Sequence, residues 1–314
     1  MHNSKQRFTV SAVVFLLLLT ACGAGFANSP PATVEGESRT IEHAMGITEV
    51  PVDPQRVVVL DTGELDSALA LGVKPVGAVA IFADGGLPDY LEGQTDGIEV
   101  VGTISEPNLE AIVALEPDLI LSNSERHRSI YRQLNQIAPT VFAETVGVVW
   151  KENLLLYADA LNKTAEAETL FEAYDARTAS IRDGFGDTLP EVSIVRFLPG
   201  QVRVYLKGSF SGTVLEDIGL PRPENQDSDD FALYLQDLES IPQMDGDLMF
   251  MTTYGLEEDT DKPTFLGSPL WQQLDVAQSG EIYEVDDSYW MLGIGIIAAN
   301  QILDDFEAIL LDSN

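Results

Sequence analysis

The chain has 314 residues, 17 Lys and Arg against 51 Asp and Glu, a formal net charge of −34 and one cysteine. That balance excludes nucleic acid as a partner, because backbone phosphates need the opposite charge, and a single thiol excludes any disulfide framework within the chain. The length suits two ordinary domains or one large one, and stability must then come from filled cores. Either a saline habitat, where repulsion is screened, or a solvated secreted surface accounts for the acid excess.

At the N-terminus, Lys5 and Arg7 precede an apolar run of about a dozen residues ending at Leu19, too short to cross a bilayer comfortably. Residues 1–21 read as an export signal. Leu19-Thr20-Ala21-Cys22 resembles a bacterial lipobox, in which the signal is cut before the cysteine and the thiol carries the lipid (palmitate). Cys22 is thus the expected lipidation site and membrane anchor, and losing Lys5 and Arg7 leaves the mature chain still more acidic. Residues 22–38, containing "GAGFANSPPATVEG", are small, proline-bearing and aperiodic, as a flexible tether would be. No later apolar run reaches membrane-spanning length.

A first α/β lobe is expected over 39–150. Val57 to Leu60 reads as a buried strand, Glu64 to Leu71 as a helix stopped by Gly72, and "KPVGAV" as the next strand, which makes a parallel βαβ unit. The pattern repeats as a helix from Asn108 to Leu115, a strand from Asp118 to Leu121, the helical "RSIYRQLNQIA" and a strand at Thr140 to Phe142. Residues 151–183 lack proline and have apolar positions at helical spacing. They predict one connecting rod of about 45 Å. A second α/β lobe follows over 184–314: strands "VSIVRFL" and "VRVYL", a helix from Ser211 to Gly219, strand "GDLMFMTT", helix "SPLWQQLDVA", strand "EIYEV" and a closing helix from Ile296 to Leu311.

Among the scarce basic residues, those beside aromatics or at strand ends are the candidates for holding an anion. Arg196 ends a strand, where α/β folds present their ligand edge. Period-two alternation sets Arg203, Tyr205 and Lys207 on one face and Val202, Val204 and Leu206 on the other. Arg126 and His127 follow a strand end. Trp271 lies on an apolar helical face and reads as core. After the signal only His43 and His127 remain, too few for a bare zinc or manganese site built on histidines. "GSFSG" has phenylalanine where a nucleophile elbow needs serine, no Walker-type "GKS" or "GKT" occurs, and "DSDD" lacks EF-hand spacing.

The stretches "HAMGITEVPVDPQRVVVLDTGELDSALALGVKPVGAV", "GTISEPNLEAIVALEPDLIL", "YRQLNQIAPTV", "SGTVLEDIGLPRP" and "WQQLDVAQSGEIYEV" fall in order and cover essentially all of 41–311. Together they resemble the ferric-siderophore, heme and cobalamin substrate-binding proteins of ABC importers, and "HAMG", "LDTGELD" and "GLPRP" look most like the siderophore branch. The resemblance implies two Rossmann-like lobes hinged by a rigid helix, with a ferric siderophore held in the cleft between them and delivered to an ABC permease. It implies no enzymatic chemistry, no cofactor and no direct metal ligand, because the siderophore itself wraps the iron. It also implies a monomer on the outer face of the cytoplasmic membrane, periplasmic if the envelope is Gram-negative. In the resembling family, aromatics at the places of Trp150 and Trp290 touch ligand. One glutamate per lobe docks on the permease, and by motif these are Glu110 and Glu216. A heme or cobalamin carrier is the alternative within the class, and an exported hydrolase or chelatase the alternative outside it.

Overall fold

The computed structural model describes residues 31–34, 36–82 and 85–312; the export signal and Cys22 lie outside the described residues. A hairpin opens the fold, β1 (Ser38–His43) paired antiparallel with β2 (Gly46–Pro51). The end of the expected tether is already docked, since Ala32 N–H donates to the Asn135 carbonyl at 2.8 Å.

The first lobe alternates strands and helices: β3 (Val57–Val59), α1 (Thr62–Ala70), β4 (Gly77–Ala80), β5 (Glu99–Thr103), α2 (Leu109–Ala114), β6 (Leu119–Asn123), α3 (Ser124–His127), α4 (Tyr131–Ile137) and β7 (Thr140–Ala143). Its five strands form an all-parallel sheet in the order β5-β4-β3-β6-β7. The strands are short and apolar because both sheet faces are covered: Val58, Leu60 and Ile120 pack outward under α2 and α4, while Val57, Val59, Leu119 and Leu121 face α1 and α5.

The rod expected over 151–183 is interrupted. α5 (Trp150–Ala160) and α6 (Thr164–Phe185) are separated by a turn in which Asn162 has φ 57°. Asparagine is among the few non-glycine residues that enter the left-handed region cheaply, so a chain with no glycine or proline here can still turn. The long connecting helix of the fold is α6 alone, 22 residues or about 33 Å; α5 packs against α1 of the first lobe.

The second lobe runs β8 (Val192–Leu198), β9 (Gln201–Tyr205), α7 (Phe210–Ile218), β10 (Ala232–Leu235), β11 (Leu248–Thr253), α8 (Lys262–Leu266), α9 (Asp275–Ser279), β12 (Ile282–Glu284), α10 (Asp287–Trp290) and α11 (Ile296–Asp312). Its sheet order is β10-β9-β8-β11-β12, with β8, β11 and β12 parallel and the β8-β9-β10 edge antiparallel. Gly219, at φ 80°, caps α7 in the left-handed conformation that a stop signal needs. The alternation along β9 is present: Val202, Val204 and Leu206 are buried in the outer core of this lobe.

One apolar core joins the lobes. It runs from Leu65 and Ala68 on α1 through Trp150, Tyr157 and Tyr174 to Phe210, Ile302 and Phe306. α11 packs on both α6 and α1, and its N-terminus is held from the first lobe. Asp66 accepts from Ile297 N at 2.9 Å and Ala298 N at 3.0 Å, and Tyr90 OH donates to the same carboxylate at 3.1 Å. Gly295 permits this approach, as a Cβ there would sit 2.3 Å from Asp66 Oδ1.

Candidate ligand-binding cleft

A cavity of about 380 Å³ opens between the lobes. The first lobe supplies Glu125 and Arg126 from α3 and Val146 to Val148 from the loop into α5; the second supplies Tyr205, the turn Gly208 to Ser211, Phe231, Trp290, Met291 and Ile294. Size does not single it out, since a cavity of about 390 Å³ lies at the base of the second lobe beside Phe185, Leu248 and Ile309. Chemistry does: both lobes meet there, and an arginine converges with aromatic and aliphatic side chains.

Local sequence builds each wall. Asn123 ends β6 and caps α3, its Oδ1 accepting from Arg126 N at 3.0 Å, which fixes where the Arg126 side chain starts. On the opposite wall, Ser209 Oγ caps α7 through Gly212 N at 3.1 Å. Asp286 caps α10 through Ser288 N at 2.8 Å, which sets Trp290 and Met291 at the cavity.

Arg126 is far more open than Arg196, although carboxylates buttress both. Its side chain is 40% exposed, with Nε 3.3 Å from Asp61 Oδ2 and Nη1 3.9 Å from Glu125. Tyr205 joins it on the cavity lining, with its hydroxyl accepting from Arg196 Nη1 at 3.2 Å and Arg203 Nη1 at 3.4 Å. Arg203 stacks over Tyr234 at 5.3 Å and donates to Gln201 Oε1 at 2.7 Å.

Arg196 is not on the lining. Asp287 takes both edges of its guanidinium, Nε–Oδ1 at 2.6 Å and Nη2–Oδ2 at 2.5 Å, and Tyr254 covers a face at 5.1 Å. Burial pulls its pKa down, but the hydrogen bond and charge of Asp287 outweigh this and the pKa is raised. Lys207, just beyond β9, pairs with Asp227 at 2.7 Å outside the cleft. Trp150 is also apart from the cavity: it is buried edge-on to Tyr174 and Phe210, and its indole N–H donates to Thr213 Oγ1 at 3.1 Å. Trp290 both lines the cavity and belongs to the core, stacked on Phe250 at 4.5 Å and donating to Asp305 Oδ2 at 2.7 Å. His127 is structural: its ring nitrogens meet Ser122 Oγ and the Ile104 carbonyl, each at 2.7 Å, and burial lowers its pKa. Trp271 is buried in the outer core. Glu110 and Glu216 are exposed, one on a helix of each lobe.

Sequence reasoning missed Ser209, Ser211, Phe231, Met291, Asp287 and the buried carboxylates behind Arg126. A signal existed for some of them. "KGSFSG" packs two glycines and two serines between a strand and a helix, and a Cβ on Gly208 would sit 2.3 Å from the Asp229 carbonyl. Among the described residues no group of three or more His, Cys, Asp or Glu could hold a metal ion, and no helix is long and apolar enough to cross a membrane.

Comparison with known proteins agrees with this fold. The family model described as "Periplasmic binding protein" matches residues 57–289. The chain is 40% identical over 308 residues to the Bacillus subtilis (strain 168) protein named "Probable siderophore-binding lipoprotein YfiY", covering 94% of this chain and 95% of that one. It is 32% identical to the achromobactin-binding periplasmic protein of Dickeya dadantii (strain 3937), over 82% and 86% of the two chains. The crystal structure of Staphylococcus aureus SirA complexed with staphyloferrin B superposes with a TM-score of 0.78 at 32% identity, covering 87% of this chain and 98% of that one. The shared fold and the length of these matches show that the chain belongs to the periplasmic binding protein family.

Proposed function

We propose that the protein is a lipid-anchored, extracytoplasmic carrier that captures a ferric siderophore between its lobes and delivers it to an ABC importer. The observation that carries this reading is the interlobe cavity itself, with Arg126 and Tyr205 converging among Val148, Phe210, Phe231 and Trp290. A ferric chelate brings its iron already enclosed in oxygens, so it needs fixed cations for its outer oxygens and apolar surface for its organic shell. The carrier performs no bond-making step, requires no cofactor and works as a monomer. Arg126, Tyr205 and Trp290 are the proposed contacts, with Arg203 reaching the chelate beside Tyr205. Arg196 acts from behind, and Trp150 joins the lobes.

A fluorescence-quenching titration of the purified protein against a panel of ferric siderophores, heme and cobalamin tests this. Saturable quenching by at least one ferric siderophore, and none by heme or cobalamin, is the expected result. A tight, coloured complex with heme or cobalamin alone would replace the reading with its rival.

Delivery is proposed to use Glu110 and Glu216, whose exposure on separate lobes suits a two-sided dock. Glu110→Lys with Glu216→Lys should bind chelate normally yet fail to support uptake, because the reversed charges would face a permease surface that the resemblance implies is basic; wild-type uptake at equal protein level would end the assignment. Anchoring rests on Cys22. Cys22→Ser should release soluble protein with unchanged affinity, and its retention on the membrane would contradict the lipid anchor.

A further inference from the structure

The first-lobe wall of the cleft conceals groups that chelate contact leaves unused. Behind Arg126, Asp61 and Glu64 stand three residues apart at the start of α1, 2% and 1% exposed. Both accept from a single amide: Asn123 Nδ2 is 3.0 Å from Asp61 Oδ2 and 3.1 Å from Glu64 Oε1. That amide cannot flip without losing its bond from Arg126 N, because its Oδ1 caps α3.

Tyr157 completes the arrangement. Its hydroxyl lies 2.6 Å from Glu64 Oε1 and 3.1 Å from the Ser122 carbonyl oxygen. A phenol has one hydrogen to donate. That one hydrogen is divided between the Glu64 carboxyl and the Ser122 carbonyl, and the Asn123 amide is the other side-chain donor to Glu64, so a full negative charge on this buried carboxyl is poorly satisfied. Electrostatics agree: burial first, then the charge of Asp61, raise the pKa of Glu64 to about 7 against the opposing hydrogen bonds of Tyr157 and Asn123.

The groups facing this pair come from three elements. Asp61 caps the same helix, Arg126 and His127 come from α3, and Tyr157 from α5; Asp66 lies further along α1, engaged with the N-terminus of α11 and with the hydroxyl of Tyr90 from the segment 89–91. Arg126 is the cation that reaches the carboxylates among the described residues.

We propose that Asp61, Glu64 and Asn123 form a proton-holding seat that positions Arg126 for the chelate and links chelate affinity to one proton on Glu64. The inference rests on the cleft reading above. With Glu64 protonated, the seat offers Arg126 one negative charge, and most of the guanidinium stays available to an anionic chelate. When Glu64 gives its proton to solvent, a second negative charge appears in the same buried seat, draws the guanidinium inward and cancels more of the positive potential of the cleft. Affinity for an anion then falls. Reciprocally, an anion that engages Arg126 withdraws its charge from the carboxylates and favours proton uptake by Glu64.

The test titrates wild type and Glu64→Gln with ferric staphyloferrin B from about pH 5.5 to about pH 8.5. The wild-type dissociation constant should rise by about tenfold more than that of the variant as pH passes 7. Protonation of the chelate itself affects both proteins and cancels in the ratio. Parallel profiles would overturn the proposal, whereas failure of the wild type to bind ferric siderophores at any pH would overturn the cleft reading instead. A readout without ligand keeps the two apart. The infrared carbonyl band of a protonated carboxyl should fade as wild type passes pH 7 and be missing from Glu64→Gln, with Asp66→Asn removing the overlapping band of Asp66. If Glu64→Gln does not fold, Tyr157→Phe should move the same band to higher pH, since Tyr157 lowers the Glu64 pKa; no protonated band near neutral pH in wild type would refute the seat.

Discussion

Two arginines flank the same cleft, and they are neutralised in opposite ways. Arg196, on the second lobe, spends its Nε and Nη2 on Asp287 and its Nη1 on Tyr205; the two ionic side chains are 8% and 12% exposed. Arg126, on the first lobe, makes one long contact to Asp61 and keeps 40% of its side chain open. A guanidinium has five donors. In Arg196 they brace α10 against β8 and β11, because Thr252 Oγ1 also donates to Asp287 Oδ1 at 2.7 Å. In Arg126 most remain for a ligand. Spare hydrogen-bonding capacity, more than charge or position, separates a bracing cation from a binding one.

Deleting the carboxylate under the braced arginine should have the largest effect. Asp287→Ala leaves Arg196 buried beside Tyr205 without its counter-charge, and a cost of about 3–5 kcal/mol in urea unfolding is expected. A loss below about 1 kcal/mol would show that Arg196 is solvated and free, which would erase the contrast with Arg126.

Buried carboxylates of the first lobe should reveal themselves through pH. Burial raises the pKa of Asp66 to about 6, against the hydrogen bonds from Ile297, Ala298 and Tyr90. Its folded value lies above the unfolded value near 3.8. The folded state therefore holds more protons between about pH 4 and 6, and stability falls as pH rises through that window. Relative to Asp66→Asn, wild type should lose up to about 3 kcal/mol across it. An identical pH profile for the two proteins would place Asp66 in contact with solvent.

Removing the open arginine should act on binding. Arg126→Ala is expected to weaken an anionic ferric chelate by about 1.5–3 kcal/mol in calorimetric titration, with the gap narrowing as salt is added. If Arg196→Ala weakened binding more than Arg126→Ala did in equally folded proteins, the assignment of roles would be reversed.

The smallest change concerns the indole beneath the cavity. Trp290→Phe keeps the ring stacked on Phe250 but loses the N–H bond to Asp305, so a cost of about 1 kcal/mol in thermal unfolding is expected. No measurable change would mean that Asp305 finds Tyr289, 3.0 Å away, a sufficient donor.

The sequence carried the lobes because buried strands such as Val57 to Leu60 and "VSIVRFL" are continuous apolar runs, and glycine ends α1 and α7 as stop signals should. It hid the turn at Asn162, where one left-handed residue divides an unbroken helical pattern. The hairpin β1-β2 and the strand β5 were illegible for another reason: their apolar residues alternate irregularly, and Val100 is 50% exposed. Of the residues lining the cavity, Arg126 and Tyr205 are candidates from a strand end and from alternation, and Trp290 only through the family resemblance. The pairing of Arg196 with Asp287 could not be read, because 91 residues separate partners that only the folded sheet brings together. Trp150 looked like a ligand contact by its place before the connecting helix, yet three aromatic neighbours enclose it.

The central claim is that the chelate sits between the lobes against Arg126, and paramagnetic broadening tests it most directly. Amide spectra of the protein loaded with one siderophore carrying either iron(III) or diamagnetic gallium(III) would be compared. The account predicts that iron selectively erases signals of Arg126, Val148, Ser209 and Met291, leaving those of Phe185, Leu248 and Ile309 at the base of the second lobe intact. Loss of the second set with retention of the first would place the ligand outside the cleft and contradict the account.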